Sequence, residues 1–418
     1  MEKKDSVSKT ALDSIFSRLI SDQNKLIPGS AASGEEMFAE IRTWVSTGSM
    51  IFDTIISNRD KGGWPAGRTV ELYGEESIGK STLVYAGMAG VQKQGGIAIY
   101  YDVEQAASKE MMKACGINLS QLISSNLTEI EDIFKTLEGT LTTIISSKEL
   151  RDKPVFICMD SYAQMSTDAE TQAGYEFNMN VSTKKAIQMG KALRKITPFL
   201  NKANACLVVI NQTRENVGVT FGDPTITPGG KALKFAASLR VQLLGKTPVK
   251  MMDPNLEREY LNQLKEWEEA CTIWREGGGT KTMGPKPQKP PKPVGDEIIV
   301  GYDVVARTVK NKVGPPKREA EFRIMFLQGV IEEYAWLDYA IKFNLVENIN
   351  SYTYKLTDPK FSSTKEFVRD KWVEILADAE VYDYIHDNVK KGLIRKTSEI
   401  TTTNDEEEEE ISILTPES

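Results

Sequence analysis

Residues 74–81 read Gly74-Glu75-Glu76-Ser77-Ile78-Gly79-Lys80-Ser81, an instance of G-x-x-x-x-G-K-[ST]. A loop of this pattern holds a nucleoside triphosphate. The two glycines let the backbone wrap the phosphates with its N–H groups pointing inward. Lys80 offers a point charge to the outer phosphates, and the Ser81 hydroxyl is suited to ligand Mg²⁺. The flanks agree. Thr69-Val70-Glu71-Leu72-Tyr73 predicts a strand, and Ser81 to Val91 predicts a helix whose N-terminus favours anions. The nucleotide-binding set therefore runs from Gly74 through Ser81 and on to Thr82. An ordinary Gly-rich turn is the competing reading, and the strand–loop–helix context argues against it.

Outward from this loop, three apolar runs end in polar residues. Val155–Met159 is closed by Asp160, about 80 residues downstream, where a carboxylate can hold the water shell of Mg²⁺ opposite Ser81. Ile97–Tyr101 is followed by Asp102-Val103-Glu104. A carboxylate there can orient and deprotonate an attacking water, and the residues alone leave Asp102 and Glu104 as rivals. Cys206–Ile210 ends in Asn211-Gln212, whose amide can sense a γ-phosphate. A long Gly-containing loop from Thr213 to Pro224 follows, then Gly229-Gly230 and a helix carrying Lys231 and Lys234. Loops of this length are functional or disordered. Buried strands alternating with helices predict an α/β fold with a mainly parallel central sheet and ligands at the carboxyl ends of its strands.

The 418 residues predict two or three domains. Hydrophobic and charged contents of 40% and 27% are those of a soluble globular protein. No apolar run approaches a membrane span, and Met1-Glu2-Lys3-Lys4-Asp5 does not begin a signal peptide. Cys115, Cys158, Cys206 and Cys271 are scattered, which fits a reducing cytoplasm and not a cysteine zinc site. A single histidine, His386, makes histidine-based catalysis a poor fit. The net charge of −7 owes six of its seven units to the consecutive acids Asp405 to Glu410, so a local basic face is compatible with it.

Leu12, Ile15, Phe16, Leu19 and Ile20 form one apolar face of an N-terminal helix, giving a first segment over 1–50. The ATPase core is expected over 51–330, interrupted by an insertion at 247–296. Within the insertion, Asp253-Pro254 starts an amphipathic helix with Leu256, Tyr260, Leu264, Trp267, Cys271 and Trp274 on one face, and Gly277–Gly279 stops it. Met283 to Val294, with five prolines and three lysines, predicts an extended, mobile linker. The helix is expected to pack on its own domain rather than dock a partner. A small α+β domain is expected over 331–396, with Trp336, Tyr339 and Phe343 on one helix and Phe367, Trp372, Ile375 and Leu376 on another. A disordered acidic tail follows over 397–418.

Five stretches together resemble the bacterial RecA recombinase family, in a phage-encoded member. They are Val45-Ser46-Thr47-Gly48-Ser49, the phosphate loop, Tyr101-Asp102-Val103-Glu104, Ile210 to Arg240, and Val309-Lys310-Asn311-Lys312. Their order and spacing hold from about 45 to 330 apart from the insertion. The resemblance implies an ATP-dependent recombinase that forms a helical filament on single-stranded DNA, binds double-stranded DNA and catalyses strand exchange, with ATP and Mg²⁺ as cofactors. A single-strand-binding protein or a loader is a further implied partner. By position, Glu104 is implied as the catalytic acid, Gln212 as the link from the γ-phosphate to a DNA-binding loop at 213–228, and Lys310 and Lys312 as the pair that reaches the neighbouring subunit's nucleotide. Lys234, Phe235 and Arg240 are implied at the subunit interface. Thr213, Arg214, Val217, Gly218, Phe221, Gly229 and Gly230 are implied on DNA.

There are departures. The first DNA-binding loop, implied near 168–183, has no basic residue from Thr167 to Asn180, so Lys184, Lys185 and Arg194 are the expected phosphate contacts. Ser108 and Met111 stand where the family often places an acid and a tyrosine near adenine. Two other readings share the ATPase core: a hexameric helicase or translocase motor, and a nucleotide-dependent regulatory scaffold.

Overall fold

The computed structural model describes residues 9–27, 30–33, 40–172, 181–215, 225–228, 230–292, 297–361 and 366–395. The chain divides into Met1–Thr43 and Trp44–Ser418. In the first unit Lys9–Leu26 form helix α1. Of its predicted apolar stripe, Leu12, Ile15, Phe16 and Leu19 are 42–60% exposed and Ile20 is half-buried.

The second unit is built on a nine-stranded sheet. Its strands are β1 (Thr69–Gly74), β2 (Ile97–Asp102), β3 (Leu122–Ser125), β4 (Val155–Asp160), β5 (Ala205–Gln212), β6 (Leu239–Met252), β7 (Glu297–Asn311), β8 (Glu319–Met325) and β9 (Gly329–Ile331). They lie in the order β9-β8-β7-β6-β1-β5-β4-β2-β3. From β6 to β3 every pairing is parallel, and β7, β8 and β9 add antiparallel strands at one edge. The helices are α2 (Met50–Ser57), α3 (Lys80–Lys93), α4 (Ile130–Ser146), α5 (Val181–Lys202), α6 (Gly230–Ala236), α7 (Pro254–Glu276), α8 (Glu333–Lys342) and α9 (Ala379–Leu393).

The continuous apolar runs become central strands because both faces of the sheet are covered. Side chains alternate between two cores. Phe156, Cys158, Cys206 and Val208 pack with Leu83, Val84 and Met88 of α3. Ile157, Met159, Leu207 and Val209 pack with Ile133, Leu137 and Leu141 of α4 and Met189 and Leu193 of α5. Each such side chain taken from water contributes about 1.5–3 kcal/mol. The arrangement sends the carboxyl ends of β1, β2, β4 and β5 to one edge, where the candidate residues sit.

The insertion is a long arm. β6 pairs with β1 only as far as Leu243, opposite Gly74. Beyond that point β6 and β7 continue as a ribbon to Met252, opposite Glu297. Asp253 caps α7, its carboxylate accepting from Asn255 N at 2.7 Å. The Pro-rich stretch lies against α7, and α7, expected to pack on its own domain, keeps only Cys271 buried. Trp267 Nε1 donates to Pro287 O at 3.0 Å and Trp274 Nε1 to Gly284 O at 2.9 Å. The two indoles, each with an N–H to satisfy, hold the proline segment as a strap along the apolar face.

After β9, α8 and α9 flank a small antiparallel sheet of β10 (Val346–Asn348), β11 (Thr353–Leu356) and β12 (Phe367–Val368). Trp336 on α8 and Trp372 are fully buried. Phe367 and Trp372 do not share one helix as expected: Phe367 lies in β12, and Trp372–Ile375 is a separate single turn. The longer helix is α9, with Val381, Ile385, Val389 and Leu393 inward. Glu332, just before α8, accepts from Ser49 Oγ at 2.5 Å, Met50 N at 2.7 Å and Ile51 N at 3.1 Å. It satisfies the orphan donors at the start of α2. Among the described residues no helix is long and apolar enough to cross a membrane.

Candidate active site

The turn from β1 to α3 is shaped by two glycines. Gly79 has φ 98°, and a Cβ there would lie 2.6 Å from Ile324 Cγ2. A Cβ on Gly74 would lie 2.3 Å from Leu243 O. The loop opens into a cleft of about 570 Å³ lined by Glu76, Ser77, Gly79, Lys80, Ser81, Thr82, Glu104, Met111, Asp160, Gln212 and Phe326, among others. Lys80 is nearly buried, and its ammonium donates to Gly74 O at 3.1 Å and to Glu75 O. Burial lowers its pKa, offset in part by Asp160 and Glu104. Among the described residues its hydrogen-bond partners are neutral carbonyls, so its positive charge is not paired with a carboxylate and can meet an anion entering the cleft.

Asp160 is placed opposite Ser81. Its Oδ2 accepts from Ser81 Oγ at 2.7 Å and from Tyr100 OH at 3.0 Å. Burial raises its pKa, and the hydroxyl hydrogen bonds oppose the shift. A buried carboxylate with hydroxyl partners is a donor set that suits a hard divalent cation, so the residues fit Mg²⁺.

Glu104 faces the same cleft. Its Oε1 accepts from Ser161 Oγ at 2.5 Å and from Gln212 Nε2 at 3.3 Å. Asp102, its rival on the sequence, turns away and accepts from Ala106 N and Ala107 N, both at 3.3 Å. Ser161 is a residue that the sequence reading missed; it directly follows Asp160, a position a strand-end acid marks for inspection. Phe326 was missed too. It follows β8, lines the cleft together with Met111, and rests on Tyr302 with ring centroids 6.0 Å apart. Nothing local in the sequence points to it. Ser108, expected near the base, caps the short helix Lys109–Ala114 by accepting from Met111 N at 3.2 Å.

The family model described as "RecA N-terminal domain" matches residues 29–263, more than half of the chain. This chain belongs to the RecA family. The chain is 32% identical to Protein RecA of Borrelia hermsii over 347 residues, 83% of this chain and 81% of that protein. It is 34% identical to Protein RecA of Borreliella afzelii over 339 residues, 80% and 78% of the two chains. With Protein RecA of Leptospira meyeri the identity is 32% over 331 residues, 79% and 70% of the two. As a member of this family the chain is an ATP-dependent recombinase and DNA-dependent ATPase, active in homologous pairing and strand exchange. It uses ATP with Mg²⁺ and forms filaments on single- and double-stranded DNA.

The other RecA-type positions lie outside the cleft. Lys310 Nζ donates to Lys234 O at 2.8 Å and Phe235 O at 3.2 Å, at the C-terminal end of α6. Lys312, Lys234 and Phe235 are exposed, Phe235 by 71%. Arg240 departs from the interface expectation: it is buried, and its Nε donates to Glu71 Oε2 at 2.5 Å. This buried ion pair holds β6 to β1, and the guanidinium carbon lies 4.8 Å from the Tyr73 ring centre.

Thr213 N donates to Gly74 O at 3.2 Å, which joins the start of the second loop to the start of the phosphate loop. Arg214 lies in a two-residue strand, Arg214–Glu215, that pairs with Thr225–Ile226. Gly230 begins α6. Val217, Gly218, Phe221 and Gly229 lie outside the described residues. Lys184 and Arg194 are exposed on α5. Lys185 is half-buried instead, donating to Ala163 O at 3.0 Å with its ammonium 5.1 Å from the Tyr162 ring centre.

Proposed function

We propose the following division of labour for this recombinase. The phosphate-loop backbone and Lys80 hold the triphosphate. Ser81 and Asp160 hold Mg²⁺, which when bound neutralises charge on the β- and γ-phosphates. Glu104 takes the proton of the attacking water, and Ser161 orients its carboxylate. Gln212 reports the γ-phosphate to the loop that begins one residue later. Met111 and Phe326 flank the base. The observation that carries this reading is that Glu104 receives hydrogen bonds from both Ser161 and Gln212 inside the cleft that Lys80 and Asp160 line.

Lys310 and Lys312 act on the neighbouring subunit's nucleotide, a reading supported by their position away from their own cleft. Phe235 and the α1 stripe meet adjacent subunits, since both are apolar and exposed. Lys184, Arg194 and the 213–230 segment meet DNA, residues 331–396 form a DNA-interacting domain, and the protein works in the cytoplasm. Electron microscopy with ATP and single-stranded DNA tests the assembly. Extended helical filaments are expected; closed rings would favour a translocase motor, and neither would favour a scaffold.

A further inference from the structure

The tip of the arm carries two charged rows of opposite sign. The strap runs antiparallel to α7, with Gly284 level with Trp274 and Pro287 level with Trp267. Seven residues of helix rise about 10.5 Å, and three residues of polyproline helix rise about 9.3 Å. The two repeats therefore stay in step. Exposure follows the three-residue period: Gly284, Pro287 and Pro290 are half-buried, whereas Lys286, Lys289 and Lys292 are exposed. Three lysines thus stand in one row, about 9 Å apart.

The helix carries the complement. Glu259, Glu266, Glu269 and Glu276 are exposed and spaced i, i+7, i+10 and i+17, which at 100° per residue is one stripe. It lies on the side of α7 away from the Trp267 and Trp274 face that the strap covers. Arg258 and Lys265 flank this stripe, and Arg258 is engaged with Asn255 Oδ1 at 3.1 Å. Lys289 Nζ lies 5.7 Å from the Trp267 ring centre, a cation–π contact, and among the described residues neither row shows an ion pair to a carboxylate or base of its own protomer. Residues 253–292 hold seven acids and seven bases. A tip with no net charge is a poor electrostatic footprint for DNA, but its segregated faces complement each other.

We propose that consecutive copies of this chain meet at their arm tips, the lysine row of one against the glutamate stripe of the next. The proposal rests on the filament described above. A filament repeats one operator, so the front of each tip faces the back of its neighbour, a head-to-tail contact that extends without closing. Lysines about 9 Å apart face glutamates whose successive rises along α7 are about 10.5, 4.5 and 10.5 Å, so two neighbouring lysines can each meet a glutamate at once. The arm is rooted beside the nucleotide: a Cβ on Gly245 would lie 3.2 Å from Ile78 Cγ2, and Phe326 N donates to Val300 O at 2.9 Å. The contact would thus add to the cooperativity of assembly with ATP.

A charge exchange tests it. One variant carries Lys286→Glu, Lys289→Glu and Lys292→Glu; a second carries Glu259→Lys, Glu266→Lys and Glu269→Lys; a third carries all six. The protein concentration that half-saturates long single-stranded DNA with ATP is measured, with filament length by microscopy. Each triple variant is expected to need on the order of ten-fold more protein, and the six-fold variant to return close to the unaltered chain. The differences should shrink at high salt, because the pairs are exposed. Failure of the combined variant to recover would overturn the proposal. So would a lysine variant that alone loses affinity for an oligonucleotide too short for two protomers, since that assigns the row to DNA. Absence of filaments from the unaltered chain would instead remove the filament reading, and this proposal with it.

Discussion

The carboxylate of Glu104 and the amide of Gln212 meet at 3.3 Å, although 108 positions separate them in the chain. Gln212 Nε2 donates to the oxygen, Oε1, that also accepts from Ser161. One end of Gln212 therefore touches the proposed base, and the other continues through Thr213 into the segment proposed to meet DNA.

Glu104→Gln should retain ATP and single-stranded DNA binding but lose hydrolysis by about 10²–10⁴-fold, because the isosteric amide is not a base. Asp102→Asn should keep most of its turnover, since Asp102 serves the Ala106–Ala107 turn. Steady-state ATPase rates with and without DNA decide between them; loss in Asp102→Asn with retention in Glu104→Gln reverses the assignment. Lys80→Ala removes the main charge in the cleft and should abolish DNA-stimulated hydrolysis altogether.

Phe326→Ala should raise KM for ATP by about five- to ten-fold while kcat changes little. An aromatic contact contributes about 0.5–1.5 kcal/mol beyond its area, and it would act on binding, away from the γ-phosphate. Phe326→Tyr should restore KM. A fall in kcat at unchanged KM would place Phe326 outside base binding.

Burial pushes the carboxyl of Glu332 up to about 7 and that of Asp53 up to about 6. Their folded-state values lie above those of the unfolded chain, so the folded state binds more protons between the two. Stability from these groups is fully present below the unfolded value of about 4.5 and is lost as pH rises towards about 7. Thermal melts should therefore give a higher Tm at pH 6 than at pH 8. The slope is at most about 1.4 kcal/mol per pH unit for each group. Glu332→Ala should flatten that slope and cost about 2–4 kcal/mol, because Ser49 Oγ, Met50 N and Ile51 N lose their acceptor. An unchanged pH profile in the variant would assign the dependence elsewhere.

Replacing residues 253–296 with an Asn-Gly turn should leave folding and ATPase activity within about two-fold of the full chain. Met252 and Glu297 are already opposite each other on the ribbon, and a two-residue turn suits such a pair. Insoluble protein, or loss of the circular dichroism of the remaining fold, would show that the α7–strap unit supports the core.

Much of this protein was determined by short-range sequence. The phosphate loop needs only Gly74, Gly79, Lys80 and Ser81 between a strand and a helix, all within one continuous stretch. The alternation of buried runs with helical periodicity determined the α/β class, and Asp253-Pro254 determined where α7 begins. What the tertiary structure decided were meetings across the sheet. Strand order, not sequence spacing, set Glu104 against Gln212 and Ser161, brought Phe326 to the cleft, and paired Arg240 with Glu71 inside the protomer. The strap shows the same division. Prolines made residues 285–292 extended, but the two indole N–H groups of α7, each in need of an acceptor, decided that the segment lies on the helix. Composition sets what a segment can adopt locally; unsatisfied polar groups and apolar faces elsewhere in the fold select what it packs against.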